Sequence, residues 1–174
     1  WLDVCQCEGV PENDKTAVKW YTKAAEQGDY FAQLTLGVKY YDGEGVPQNY
    51  KTAVKWYTKA AEQGLALAQH LLGNAYANGE GVPENDKTAV MWYTKAAEQG
   101  YAGAQLSLGV KYYNGEGVLS SNVKAYMWLN LAAFNGNEQA AEAKGLVSKE
   151  MTKEQIGKAQ DLSEACLAKD YKGC

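Results

Sequence analysis

A fixed step of 36 residues runs through the chain, and no other feature limits the fold as strongly. Gly9-Val10-Pro11 returns as Gly45-Val46-Pro47 and Gly81-Val82-Pro83, then more loosely as Gly117-Val118-Leu119, with no insertion between them. The block 9–44 matches the block 81–116 at 30 of 36 positions. Segments this alike build the same local structure. A chain of 174 residues made of them is a short repeat array, whose core comes from stacking neighbours and not from one centre.

Each unit reads as two helices. Over residues 15–27, Ala17, Trp20, Tyr21, Ala24 and Ala25 fall on one apolar stripe at helical spacing. Asn13, Asn49, Asn85 and Ser121 stand at the N-cap position, where a side-chain oxygen can accept an orphan amide. Gly28, Gly64, Gly100 and Gly136 follow the last turn, where a left-handed residue closes a helix. A second helix is predicted over about 31–41, with Ala32, Leu36, Gly37 and Tyr40 facing inward and Gly43 ending it. Ala24, Ala25, Ala32 and Gly37 let two backbones approach. Trp20, Tyr21 and Tyr40 are expected to fill the wedge between successive pairs. The 13 tyrosines and 5 tryptophans recur so regularly that most of them read as packing.

The spacing Ala32-x3-Leu36-Gly37-x2-Tyr40-x2-Gly43-x-Gly45-Val46, followed by Lys51-x-Ala53-x2-Trp56-Tyr57-x2-Ala60-Ala61-x2-Gly64, resembles the Sel-1-like repeat, a relative of the tetratricopeptide repeat. The resemblance implies an all-α fold: a right-handed superhelical α-solenoid of stacked antiparallel helix pairs, closed by a C-terminal capping helix. It also implies a scaffold for protein partners without chemistry of its own. In that family's phasing the Ala-x3-Leu-Gly helix opens each unit and is called helix A, and the Trp-Tyr helix is helix B. The chain then divides into a truncated first repeat at 1–28, repeats at 29–64, 65–100 and 101–136, and a closing segment at 137–174. Residues 1–7 would be the tail of a degenerate helix A, with further units expected before Trp1. In the closing segment Ala140 and Gly145 keep register while Lys144 stands where leucine is expected. Thr152-x2-Gln155 forms a capping box that opens a last helix to about residue 168, and the segment 151–156 resembles the Met-Thr-x-Glu-Gln-Ile ending common in the family.

Cysteines occur only at the ends, as Cys5, Cys7, Cys166 and Cys174. A cysteine-rich, secreted branch of the family bridges two helices across an Ala-Cys-x6-Gly-Cys spacing. Ala165-Cys166 and Gly173-Cys174 resemble it, which implies a Cys166–Cys174 disulfide and an oxidising compartment, periplasmic or secreted. Cys5 and Cys7 are too close to favour pairing with each other and read as free thiols or partners of upstream residues. No second Cys or His pair at metal-ligand spacing accompanies them, so neither a metal nor a cofactor is expected.

Comparing units separates scaffold from specificity. Helix B is nearly invariant in three units, whereas helix A varies. In tetratricopeptide-like stacking helix A lines the concave surface. The positions one face away from Leu36 and Tyr40 are therefore the candidate partner-binding set: Leu34, Val38, Tyr41 and Asp42, then His70, Asn74 and Asn78, then Leu106, Val110, Tyr113 and Asn114. Their apolar and amide character suits an extended peptide or a partner helix, with Tyr41 and Tyr113 as anchors. Replacing Tyr41 and Asn74 together with alanine is expected to abolish partner capture.

Composition narrows the alternatives. Net charge is −4 and all 17 basic residues are lysine, so the arginine-rich surface that reads nucleic acid is missing. No run approaches the roughly 18 apolar residues of a membrane span. His70, the only histidine, sits among Gln69, Leu71 and Leu72 and reads as a packing or surface residue more than a general base. Ser121-x2-Lys124 matches the Ser-x-x-Lys string of penicillin-recognising enzymes, but its companion motifs are missing and Ser121 is a good N-cap. The reading is a monomeric, non-enzymatic interaction module for a protein or peptide. An assembly element stacking end to end is the alternative, and a β-lactam-binding or hydrolysing enzyme a remote one.

Overall fold

The computed structural model describes residues 14–174. The degenerate helix A at 1–7, Cys5 and Cys7, the Gly9-Val10-Pro11 turn and the Asn13 cap lie outside the described residues. Among those described there are nine α-helices and no strand: α1 Asp14–Glu26, α2 Tyr30–Asp42, α3 Tyr50–Glu62, α4 Ala66–Asn78, α5 Asp86–Ala97, α6 Ala102–Asn114, α7 Asn122–Phe134, α8 Glu138–Ser148 and α9 Lys153–Ala168. From α1 to α8 each helix packs on the next in chain order, and α9 folds back onto α7. The even-numbered helices α2 to α8 are helix A and the odd-numbered α1 to α7 are helix B.

Local chemistry fixes the ends. The side chains of Asn49, Asn85 and Ser121 accept the backbone amides of Thr52, Thr88 and Lys124 at 3.0, 3.0 and 3.3 Å. Thr152 and Gln155 close the expected capping box at 2.9 and 3.2 Å. Alanines at the pair interfaces, Ala53, Ala60, Ala89, Ala96 and Ala104 among them, are fully buried.

The core is a chain of linked clusters. One joins α1 and α2 through Val18, Ala25, Ala32 and Leu36. The next joins α3 and α4 through Ala53, Tyr57 and Leu72 and takes in Trp92 from α5. A third spans α5 to α7 and reaches Cys166 of α9. The last joins α7, α8 and α9 through Tyr126, Ala140, Val147 and Ala159. Every cluster borrows side chains from a neighbouring unit, so no pair completes its own core.

Glycine sets the helix A to helix B distance. A β-carbon on Gly37 would lie 2.6 Å from the Tyr57 ring, on Gly73 2.5 Å from the Tyr93 ring, and on Gly109 2.6 Å from Leu129. Alanine at any of these positions would push the helices apart or the facing side chain out of its place.

The aromatic wedge expected of Trp20 and Tyr21 is corrected by the structure. Trp92 and Trp128 are buried at 9% and 3% exposure, but Trp20 is 65% exposed and Tyr21 38%. Trp92 packs in the cluster of the preceding pair, and Tyr57 rests on Gly37 of the helix before it. For α1 the equivalent partners fall outside the described residues, so its aromatic face has nothing described to rest on. Burial of a repeat side chain is a property of its neighbour as much as of its own sequence.

Gly73→Ala should therefore destabilise the fold by about 1–3 kcal/mol. In contrast, Gly145→Ala in α8, where nothing stands within 4 Å of a β-carbon, should stabilise it by about 0.5–1 kcal/mol. Urea denaturation of the two variants beside the parent checks both signs.

Candidate functional site

The eleven candidate side chains sit on α2, α4 and α6 in two environments. Asp42, Asn78, Val110, Tyr113 and Asn114 are exposed, whereas Leu34, Val38, Tyr41, His70, Asn74 and Leu106 are half-buried. Leu34, Val38 and Tyr41 pack against the α3–α4 cluster, and Leu106 against the cluster of α7 to α9.

Several of their polar tips already have partners. The Tyr41 hydroxyl donates to Glu80 Oε2 at 3.0 Å and its ring lies 5.0 Å from Tyr50, tying α2 to the turn after α4. The Tyr113 hydroxyl donates to Glu150 Oε1 at 2.8 Å, a tie from α6 to the turn after α8. Asn114 Nδ2 donates to Glu116 at 3.0 Å. Burial and the Glu80 bond push the Tyr41 phenol up. Burial also pushes the Tyr57 phenol up, with the carboxylates of Asp42 and Glu80 and the neighbouring Tyr41 phenol adding to the rise.

The unit built on α4 differs from its neighbours. His70 and Asn74 stand where Leu34 and Val38, or Leu106 and Val110, stand in the flanking helices. Asn74 Oδ1 accepts the Tyr93 hydroxyl at 2.8 Å, and its Nδ2 faces His70 Nε2 at 3.4 Å. The imidazole lies between the rings of Tyr93 and Tyr101, at 5.6 and 5.3 Å between centroids, and its buried Nδ1 has no hydrogen-bond partner. Burial lowers the His70 pKa to about 4. It is a packed, neutral imidazole with no carboxylate or hydroxyl nucleophile in its bonded set.

Two polar systems were not anticipated. Gln33, Gln69 and Gln105 are buried at 4%, 5% and 0% exposure. Each donates Nε2 to a helix B carbonyl, Ala25, Ala61 or Ala97, at 3.1, 3.1 and 3.2 Å. Each also accepts at Oε1 from Gln63, Gln99 or Asn135 of the next helix B, at 2.8, 2.8 and 2.9 Å. The signal was present in the sequence as a glutamine kept at one register of an otherwise variable helix. Lys39 bridges Asp14 and Glu44 at 2.7 and 2.6 Å, and Lys111 bridges Asp86 and Glu116 at 2.6 Å each.

The Ser121 hydroxyl accepts the Lys124 amide, and the Lys124 ammonium lies 5.1 Å from the Tyr112 ring centroid. In this chain the Ser-x-x-Lys string serves a helix end. Among the described residues no group of three His, Cys, Asp or Glu side chains converges to hold a metal, and no helix is long and apolar enough to cross a membrane.

Cys166 and Cys174 form a disulfide with Cα atoms 5.4 Å apart. It ties the tail to α9 while Tyr171 donates its hydroxyl to Asn135 Oδ1 at 2.8 Å and Gly173 donates its amide to Glu98 at 3.2 Å. Asp170 and Tyr171 take φ of 52° and 62°, a left-handed path that non-glycine residues resist.

Paired helices in a 36-residue step, coupled by a buried amide ladder, define a helical repeat solenoid. Residues 4–29, 31–65, 66–101 and 102–137 match the Sel1 repeat, and the chain belongs to the Sel1 repeat family. It is similar to c5321, described as a protective antigen present in uropathogenic Escherichia coli strains and displaying an SLR fold, at 38% identity and a TM-score of 0.86 over 96% of this chain. The chain spans 37% of the length of that protein. A Sel1 repeat protein from Oxalobacter formigenes is 38% identical with a TM-score of 0.68, covering 74% of this chain and 97% of its own. Helicobacter pylori cysteine rich protein B is 28% identical with a TM-score of 0.60, covering 78% of this chain and 98% of its own. Among curated proteins no sequence matches the chain.

The His70 geometry sets a sign for pH dependence. The unfolded chain takes up this proton near pH 6.5 and the folded chain only near 4. Between these values the unfolded state binds more protons, so His70 lowers stability as pH falls from 6.5 to 4. The loss should reach about 3 kcal/mol. His70→Leu, the residue of the flanking units, should remove that component. Urea midpoints of parent and variant at pH 7 and pH 4 measure the difference. For the tail, Cys174→Ser should cost about 2 kcal/mol and speed amide exchange at residues 170–174. The intact mass should rise by about 2 Da on reduction.

Proposed function

We propose that the chain is a protein-interaction module that binds a protein or peptide partner along the concave face lined by helix A. Sel1 repeats mediate protein–protein interaction, and four of them make up most of this chain. The carrying observation is the contrast between helices: helix B is copied from unit to unit, while exposed helix A positions change. Asp42 stands where Asn78 and Asn114 do, Val110 where Asn74 does and Tyr113 where Ala77 does, although Val110 and Tyr113 repeat Val38 and Tyr41 of α2. Val110 and Tyr113 are 40% and 39% exposed, an apolar step and an amphipathic ring side by side on α6. We read 29–64, 65–100 and 101–136 as one repeat each, with 137–174 as the closing segment and the chain acting as a monomer. The Cys166–Cys174 bridge supports an oxidising compartment, periplasmic or secreted.

Asn74 holds the Tyr93 hydroxyl, so replacing it would disturb the α4–α5 contact as well as any partner. Val110→Glu combined with Tyr113→Ala probes the face from its exposed part. Partner capture by crosslinking pull-down from the native host, followed by mass spectrometry, should fall at least about tenfold. Stability should stay within about 1 kcal/mol of the parent, since both sites are exposed. Unchanged capture would remove the helix A reading.

A further inference from the structure

The wall formed by α1, α3 and α5 is chemically unlike the helix A surface. Lys15, Lys19 and Lys23 follow one another at four-residue steps on α1. Lys51, Lys55 and Lys59 do the same on α3, and Lys87, Met91 and Lys95 on α5. Such steps hold each trio on one helix stripe with about 6 Å of axial rise between members. All eight lysines are exposed, and none is in an ion pair among the described residues. Two carboxylates on the same wall, Asp14 and Asp86, are held by Lys39 and Lys111, which leaves Glu26 and Glu62 as the exposed acids within these helices. A chain of net charge −4 has placed eight of its 17 lysines on one side.

Between α1 and α3 this wall opens into a groove of about 610 Å³. Tyr40, Val54 and Trp56 supply apolar lining, Lys55 and Lys59 stand on the α3 side, and Glu26 stands on the α1 side. The hydroxyls of Thr22 and Thr58, which also line it, are bonded back to Val18 and Val54 at 2.8 Å each. Lys59 Nζ lies 4.3 Å from the Trp56 ring centroid, a cation already seated on the aromatic wall. The groove therefore offers apolar surface edged with positive charge. One unit further on, Met91 replaces the central lysine and Trp92 is 9% exposed, so the α3–α5 junction lacks the combination.

We propose that the α1–α3 groove docks an acidic amphipathic helix of a partner protein. Its apolar stripe would lie on Tyr40, Val54 and Trp56, and its carboxylates would face Lys55 and Lys59. A helix is favoured because carboxylates at i and i+4 repeat with the same rise as Lys51, Lys55 and Lys59. Glu26 rejects a carboxylate at the α1 edge and so helps set the helix direction. An anionic bilayer is the rival occupant. Being flat, it would meet the lysines of α1, α3 and α5 alike, whereas a helix in the groove depends on one pair. The groove takes its lysines and most of its lining from helix B, with Tyr40 from α2, and does not rest on the helix A reading.

The test titrates the full chain with a synthetic helical peptide of about 18 residues, carrying glutamates every fourth position beside a leucine stripe. A copy with lysine in place of glutamate is the control, and phosphatidylglycerol vesicles are titrated separately. Amide chemical shifts should change at Tyr40 and across residues 52–59. Lys55→Glu with Lys59→Glu should weaken peptide binding at least about tenfold, and Lys87→Glu with Lys95→Glu less than about threefold. All four sites are exposed, and circular dichroism should show both variants folded. Equal binding of the lysine peptide, no binding of the acidic one at millimolar concentration, or shifts confined to α2, α4 and α6 would overturn the proposal. So would vesicle binding that both variant pairs weaken equally while the peptide fails to bind.

Discussion

Three missing β-carbons determine how this solenoid is spaced. Gly37, Gly73 and Gly109 let Tyr57, Tyr93 and Leu129 rest directly on a helix A backbone, at distances where any side chain would collide. A second set of close approaches joins units. A β-carbon on Gly81 would lie 2.4 Å from the Tyr50 carbonyl carbon, and on Gly45 and Gly117 2.5 Å from those of Asp14 and Asp86. All three glycines take positive φ, so both space and backbone angle exclude other residues. Spacing within and between pairs is set by backbone contact, and it repeats with the 36-residue step.

The buried amides give this spacing a register. Each glutamine of α2, α4 and α6 links two successive B helices, and a slip of one turn would leave an amide unpaired in the core, at a cost of about 1–3 kcal/mol each. The ladder ends in a modified rung. Asn135 replaces glutamine at the C-cap of α7, and its Oδ1 takes the Tyr171 hydroxyl. The disulfide holds Tyr171 in its left-handed turn, so the covalent bridge and the last rung of the ladder form one closing device.

The period, the helix pairs and the caps were legible because they are local or repeated, as where Asn49 caps Thr52 whatever lies around it. The terminal disulfide was legible only through the resemblance of Ala165-Cys166 and Gly173-Cys174 to the cysteine-rich branch of the family. The exposure of Trp20 was not legible, because the same residue type is buried at Trp92 by a neighbouring pair. Nor were the ties of Tyr41 to Glu80 and of Lys39 to Asp14, which join residues 39 and 25 positions apart through the stacking geometry. The glutamine ladder is written in the sequence as Gln33, Gln69 and Gln105 at one register, but glutamine is ordinarily a surface residue, so its type does not signal burial.

Variation between repeats has two sources that only coordinates separate. In α4, Ala75 replaces Lys39 or Lys111 and Ala77 replaces Tyr41 or Tyr113, so this unit lacks both the ion triad and the tyrosine tie of its neighbours. His70 and Asn74 instead build a polar set around the Tyr93 hydroxyl. Their departure from the repeat consensus has an internal counterpart in the α4–α5 contact, where Asn74 accepts the Tyr93 hydroxyl. The same holds in part for Tyr41 and Tyr113, whose hydroxyls bind a following turn. What remains free to be tailored is the outer rim of helix A on one side and the lysine rows of helix B on the other, two surfaces of different charge on one rigid frame. A solenoid of this kind can therefore change either surface without changing the glycine contacts or amide rungs that hold it together.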